Sequence, residues 1–124
     1  MISVIVIEDD PIFRDMLLDM LPKAKISTKV QAACATLRQA KEAIDQHKPQ
    51  LIFLDVELPD GKGMELFQHY EDTGTFETVF VTAFGNYAIQ ALNQSAAYYL
   101  LKPIDIDELV KAVDKIKDLT HLFV

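Results

Sequence analysis

Apolar residues along the chain follow two periods in turn. Short runs rich in β-branched and aromatic side chains, SVIVI, KVQAA, LIFLDV, TVFVTA and YYLLK, have the length and composition of strands. Between them the apolar positions recur every three or four residues. Ile12, Phe13, Met16, Leu17, Met20 and Leu21 fall on one stripe, and so do Leu37, Ala40, Ala43 and Ile44. The spacing returns at Met64, Phe67 and Tyr70, at Ala88, Ile89 and Leu92, and at Leu109, Val113 and Ile116. Five helices are predicted, each with one face to bury. Start signals agree with these divisions: Pro11 suits a first helical position, Thr36 and Asn86 can cap, and Asp105 with Glu108 has capping-box spacing. The first and third strands are apolar nearly throughout, as strands covered on both faces must be. Strand and helix in alternation imply an α/β fold, a doubly wound parallel sheet of five strands flanked by five helices. The PDGKG segment (Pro59–Gly63) reads as a loop.

Length and charge narrow the picture. The 124 residues suffice for one domain with its own core. Nineteen acidic against twelve basic residues give a net charge of −7. Without a basic cluster, that balance argues against direct binding to nucleic acid or an anionic membrane. No apolar run approaches a membrane span and the N-terminus lacks a signal-peptide pattern, so the expectation is a cytoplasmic protein. The lone Cys34 reads as a small buried filler. His47, His69 and His121 lack metal-ligand spacing and read as surface residues, while Gly61 and Gly63 read as turn glycines.

The predicted fold gives the acidic residues an address. In open parallel sheets the working crevice lies beyond the carboxyl ends of the strands. Glu8, Asp9 and Asp10 end the first strand, Asp55 the third, Thr82 the fourth and Lys102 the fifth. Carboxylates gathered in one crevice repel one another unless a cation lies among them, and Mg²⁺ suits a few carboxylates with retained waters and a phosphate oxygen. Lys102 and Thr82 suit the oxygens of a transferring phosphoryl group.

These residues resemble the receiver domains of bacterial two-component response regulators. The acidic pair in IEDDP, the Asp of LIFLDVELPDGKG, the Thr-Ala of VTAFG and the Lys-Pro of YYLLKPI stand in the family's order and at its spacing, over about Ile2 to Leu119. The resemblance implies a flavodoxin-like sheet of order 2-1-3-4-5, a receiver domain over residues 1–119, and the start of a linker or tail at 120–124. It makes Asp55 the phosphoacceptor, receiving its phosphoryl group from a sensor histidine kinase or a small acyl phosphate. Asp9 would hold Mg²⁺ directly and Glu8 through water, with Asp55 and the backbone carbonyl of Glu57 as further ligands. Asp10 would serve the helix N-terminus instead. Thr82 and Lys102 would grip the phosphoryl oxygens, and Tyr99 would turn inward as Thr82 moves. The face of the fourth helix, fifth strand and fifth helix would then change its affinity for partners, including a second copy of the chain. Such a protein is a phosphoacceptor that assists its own phosphorylation and dephosphorylation, not an enzyme with a separate substrate.

Finer wording, LPDGKGMEL, TAFGNYAIQAL and YYLLKPIDIDEL, is similar to receivers that carry a C-terminal LytTR-type DNA-binding domain. DNA would be reached only through that domain, which lies outside these residues, so a truncated chain is expected rather than a stand-alone receiver. The sequence departs from the pattern at Tyr98, where the branch often has Asp, and at Glu8, where Asp is commoner. Glu57 and Phe84 occupy positions that tune dephosphorylation in the family. Two other readings compete. The Asp-Val-Glu-Leu sequence at Asp55 loosely resembles the aspartyl-nucleophile motif of haloacid-dehalogenase-type phosphatases, and an inert, receiver-like interaction module is the third possibility. Glu57 in place of the usual acid Asp and the want of room for a cap oppose the phosphatase; intact Asp55, Thr82 and Lys102 oppose the inert module. If Lys102 acts through the phosphoryl group, Lys102→Ala should disturb signalling more than folding.

Overall fold

The computed structural model describes residues 1–24, 27–70, 76–83 and 98–119. Strands β1 (Ile2–Ile7), β2 (Thr28–Cys34) and β3 (Leu51–Asp55) precede a small hairpin of β4 (Glu57–Leu58) and β5 (Gly61–Lys62); β6 (Glu77–Thr82) and β7 (Tyr98–Leu101) follow. The helices are α1 (Pro11–Met20), α2 (Leu37–His47) and α3 (Ile106–Leu119). Short 3-10 segments cover Leu21–Lys23 and Gly63–His69. Five strands form one parallel sheet in the order β2-β1-β3-β6-β7, which is the expected 2-1-3-4-5 order once the hairpin is set aside. The reversal of order between β1 and β3 leaves a crevice at the carboxyl ends of those strands.

Period-two alternation divides the core between two layers. Val4, Val6, Leu51, Phe53, Val79, Val81 and Leu100 pack on one face against Leu17 and Leu21 and against Leu109, Ala112, Val113 and Ile116 of α3. Ile5, Ile7, Ile52, Leu54 and Phe80 pack on the other against Ala40, Ala43 and Ile44 of α2 and against Leu58 and Leu66. Strands covered on both faces explain why β1 and β3 carry almost no polar residues.

Capping follows the sequence where the backbone can be seen. Asp10 is the N-cap of α1, accepting from the Ile12 N–H at 2.9 Å, with Pro11 at the first helical position. Thr36 caps α2 through the Gln39 N–H at 3.1 Å. Asp105 accepts from the Asp107 N–H at 3.0 Å ahead of α3, but Glu108 turns to the Tyr98 hydroxyl and Lys111 rather than closing a capping box. Asn86 and the predicted fourth helix lie outside the described residues.

Three expectations need correction. The segment expected as a helix through Met64, Phe67 and Tyr70 is a 3-10 helix over Gly63–His69, with Tyr70 in the turn just after it, not an α-helix. Its ends are pinned, the Gly63 N–H to the Val56 carbonyl at 2.7 Å and the Tyr70 hydroxyl to Asp45 of α2 at 2.7 Å. A 3-10 helix rises about 2.0 Å per residue against about 1.5 Å for an α-helix and is used in short pieces, which suits a segment held at both ends. The PDGKG stretch is not only a loop: Gly61 and Lys62 pair antiparallel with Leu58 and Glu57. The apolar stripe of α1 is not all core, since Ile12 is 69% exposed and Met16 38%.

Candidate functional site

Four strand ends bring the predicted residues into one crevice. Glu8 follows β1, Asp55 ends β3, Thr82 ends β6 and Lys102 follows β7. The sheet ladder continues past these ends, with the Lys102 N–H donating to the Thr82 carbonyl and the Glu8 N–H to the Cys34 carbonyl, both at 2.8 Å. Glu8, Asp55 and Thr82 are buried, while Asp9 is exposed.

A three-charge cluster forms the floor. Lys102 Nζ lies 2.5 Å from Glu8 Oε1 and 3.2 Å from Asp55 Oδ2, and its side chain is only 9% exposed. Burial pushes the Glu8 pKa up to about 7; the adjacent Asp55 carboxylate adds to the rise and the Lys102 ammonium opposes it. For Lys102, burial disfavours the charged form, but the Glu8 and Asp55 carboxylates outweigh it and the pKa is raised. The ammonium therefore remains charged among these acids. The ring of Phe13 covers it, with the centroid 4.6 Å from Nζ.

The carboxylates of Glu8, Asp9 and Asp55 can each offer an oxygen within 4.8 Å of the others, and these are the residues assigned to a metal from sequence. All-oxygen donors of that kind suit a hard divalent cation, so the donor set fits Mg²⁺. Among the described residues no histidine or cysteine joins this cluster. Glu57, the fourth expected ligand, begins the hairpin, and its N–H donates to Asp55 Oδ1 at 3.2 Å. Its side chain pairs with Lys62.

The backbone around Asp55 is closely packed. A Cβ at Gly63 would collide with the Asp55 carbonyl oxygen, so only glycine lets the hairpin fold back over the strand end. Gly61, at φ +148°, adopts a backbone that side chains disfavour. Asp60, immediately before Gly61 in the turn, sends its carboxylate to another element. It accepts from the Leu37 N–H at 2.8 Å and the Arg38 N–H at 3.1 Å, the first two orphan donors of α2. These bonds hold its pKa below the usual carboxylate value.

Tyr99 is half-buried and packs with the cluster that holds Phe80, its register partner, two residues before Thr82 on the same side of β6. Tyr98 faces the opposite layer; its hydroxyl meets Glu108 at 3.4 Å and its ring lies 5.6 Å from Lys115 Nζ. Phe84, Thr120 and His121 lie outside the described residues, as does the side chain of His69. Sequence reasoning missed the ring of Phe13 and the helix cap from Asp60. The Asp60 cap had a partial signal in its turn dipeptide with Gly61; Phe13 had none, being one apolar member of a helical stripe.

Known proteins are similar to this chain along most of its length. The response regulator receiver domain family matches residues 4–114. An uncharacterized response regulatory protein of Shewanella oneidensis is 37% identical over 121 residues, covering 97% of this chain and 51% of that protein. The transcriptional regulatory protein BtsR of Salmonella typhi is 32% identical over 117 residues, covering 94% of this chain and 48% of its own. The chain thus spans about half the length of the curated relatives it matches. In three dimensions it is similar to a DNA-binding response regulator of the LuxR family from Staphylococcus aureus, with a TM-score of 0.83 at 24% identity and coverage of 94% and 98%, a likeness of fold alone. Among the described residues no helix is long and apolar enough to cross a membrane.

Proposed function

The chain belongs to the response regulator receiver domain family, and from that footing we propose that Asp55 accepts a phosphoryl group from a sensor histidine kinase in the cytoplasm. The observation that carries this reading is the buried Asp55 carboxylate beside the Lys102 ammonium, 3.2 Å away, at the carboxyl edge of a parallel sheet.

A carboxylate oxygen of Asp55 attacks the phosphorus of a phosphohistidine or a small acyl phosphate. The new oxygen–phosphorus bond forms as the bond to the leaving nitrogen or oxygen breaks, and that electron pair departs with the donor. Glu8, Asp9, Asp55 and the backbone carbonyl of Glu57 would hold Mg²⁺, which supplies positive charge against the acids and the phosphoryl oxygens. Lys102 adds a fixed positive charge to the incoming dianion. Thr82 offers a hydroxyl from the end of the neighbouring strand. As that hydroxyl is drawn toward the phosphoryl group, Tyr99 follows on the same side of the sheet, and the surface around β7 and α3 changes its affinity for partners.

Beyond this domain the proposal extends to a LytTR-type DNA-binding output, supported by the wording YYLLKPIDIDEL and by the further length of the matched relatives. In that arrangement phosphorylation favours a homodimer, and DNA is reached only through the second domain. The protein acts as a phosphoacceptor and not as an enzyme with its own turnover substrate. The test is intact mass after incubation with acetyl phosphate and Mg²⁺. One metal-dependent phosphoryl adduct in the wild type, absent in Asp55→Asn, is expected; an adduct that persists in Asp55→Asn removes the assignment.

A further inference from the structure

We propose that Phe13 is a positioning residue for phosphoryl transfer at Asp55, its ring holding the Lys102 ammonium against the acceptor carboxylate. The inference rests on the phosphoacceptor reading and adds to it a residue that does not touch the phosphoryl group.

Lys102 Nζ has partners in three directions: Glu8 Oε1 at 2.5 Å, Asp55 Oδ2 at 3.2 Å and the Phe13 ring centroid at 4.6 Å. An ammonium on a four-carbon stem is flexible, so its direction must be set from outside. Two carboxylates alone leave its third side to water. The aromatic ring fills that side with a weakly negative face and an apolar wall, which attracts the cation and dries its surroundings.

Phe13 is well placed for this work and poorly placed for the core. It stands one helical turn before Leu17 on α1, so it continues that residue's face beyond the carboxyl edge of the sheet. Leu17 belongs to the buried cluster beneath; Phe13 is half-buried and belongs to neither core cluster. The turn that carries it also carries the acids. The Asp10 N–H donates to Glu8 Oε2 at 3.2 Å, Arg14 Nη1 donates to the Glu8 carbonyl at 3.4 Å, and Asp10 caps the helix. Glu8 and Phe13 therefore approach Lys102 as parts of one rigid turn.

Two variants separate the ring's charge distribution from its bulk. Phe13→Leu keeps an apolar side chain of similar reach, and Phe13→Tyr keeps the aromatic face. The readouts are the rate constant for phosphorylation by acetyl phosphate at saturating Mg²⁺, the Mg²⁺ concentration giving half that rate, and the proton chemical shift of the Lys102 ε-methylene. A slowing of about threefold to tenfold is expected in Phe13→Leu, the size of one cation–π contact. Phe13→Tyr should react at close to the wild-type rate, and the Mg²⁺ requirement should hold in both. The Lys102 methylene should show a ring-current displacement in wild type and Phe13→Tyr that is lost in Phe13→Leu. A folded Phe13→Leu that reacts at the wild-type rate would overturn the inference, as would slowing without any change at the Lys102 methylene. Failure of the phosphoacceptor reading looks different: no adduct forms in the wild type, while the Lys102 shift still reports whether the ring holds the ammonium.

Discussion

Lys102 is the residue whose meaning changed most between sequence and structure. From sequence it reads, just after β7, as a cation for phosphoryl oxygens, and on that view its loss should disturb signalling more than folding. The structure gives it a second duty. It lies between two buried carboxylates, and removing one partner of such a group leaves uncompensated charge out of water. Lys102→Met, which preserves length and packing, should therefore lose about 3 kcal/mol of unfolding free energy in chelator at a pH well above the Glu8 pKa of about 7, where both acids are ionised, read from urea denaturation. A variant as stable as the wild type would mean that the ion pairs do not form in solution. Strand ends could be read from the sequence because each is marked by a change from apolar to polar residues. The side-chain directions that join Glu8, Phe13 and Lys102 could not, because they depend on the packing of α1 against the sheet.

At the scale of elements, the strands and the caps of α1 and α2 were legible since period and capping are local properties. The Gly63–His69 segment was not: its apolar spacing suits an α-helix, whereas it folds as a 3-10 helix tied to Val56 at its start and, through Tyr70 just beyond it, to α2, contacts that local spacing does not reveal. The cap supplied by Asp60 is another long-range feature, joining the hairpin beside Asp55 to the start of α2. Because two backbone N–H groups favour its ionised form, the Asp60 pKa is lower in the folded chain than in the unfolded one. Its stabilisation is thus complete above the ordinary aspartate pKa and is lost as pH falls through the folded value. Asp60→Ala should cost about 1 kcal/mol at pH 7, the usual worth of an exposed helix cap. The gap between variant and wild-type urea midpoints should shrink as pH is lowered through the carboxylate range. An equal gap at both ends of that range would show that the carboxylate charge is not what holds the helix start.

For the whole molecule, the decisive property is that folding assembles the acidic cluster. Glu8 and Asp9 come from one strand end and Asp55 from another, so the unfolded chain offers no comparable set of oxygens. Any divalent cation held by the three must bind the folded state preferentially and stabilise it by mass action. At a hundredfold excess over its dissociation constant, Mg²⁺ should add about 2.7 kcal/mol, a rise of about 10 °C in Tm for a domain of this size. Asp9→Asn isolates the effect, because Asp9 is exposed and makes little contribution to the core. The variant should match or exceed the wild type in chelator, where one like charge has been removed from the cluster, yet gain much less from Mg²⁺. Thermal scans across a Mg²⁺ series distinguish the cases. A wild type that does not respond would remove the metal assignment altogether, and an equal response in Asp9→Asn would move the cation to other acids of a chain that carries nineteen.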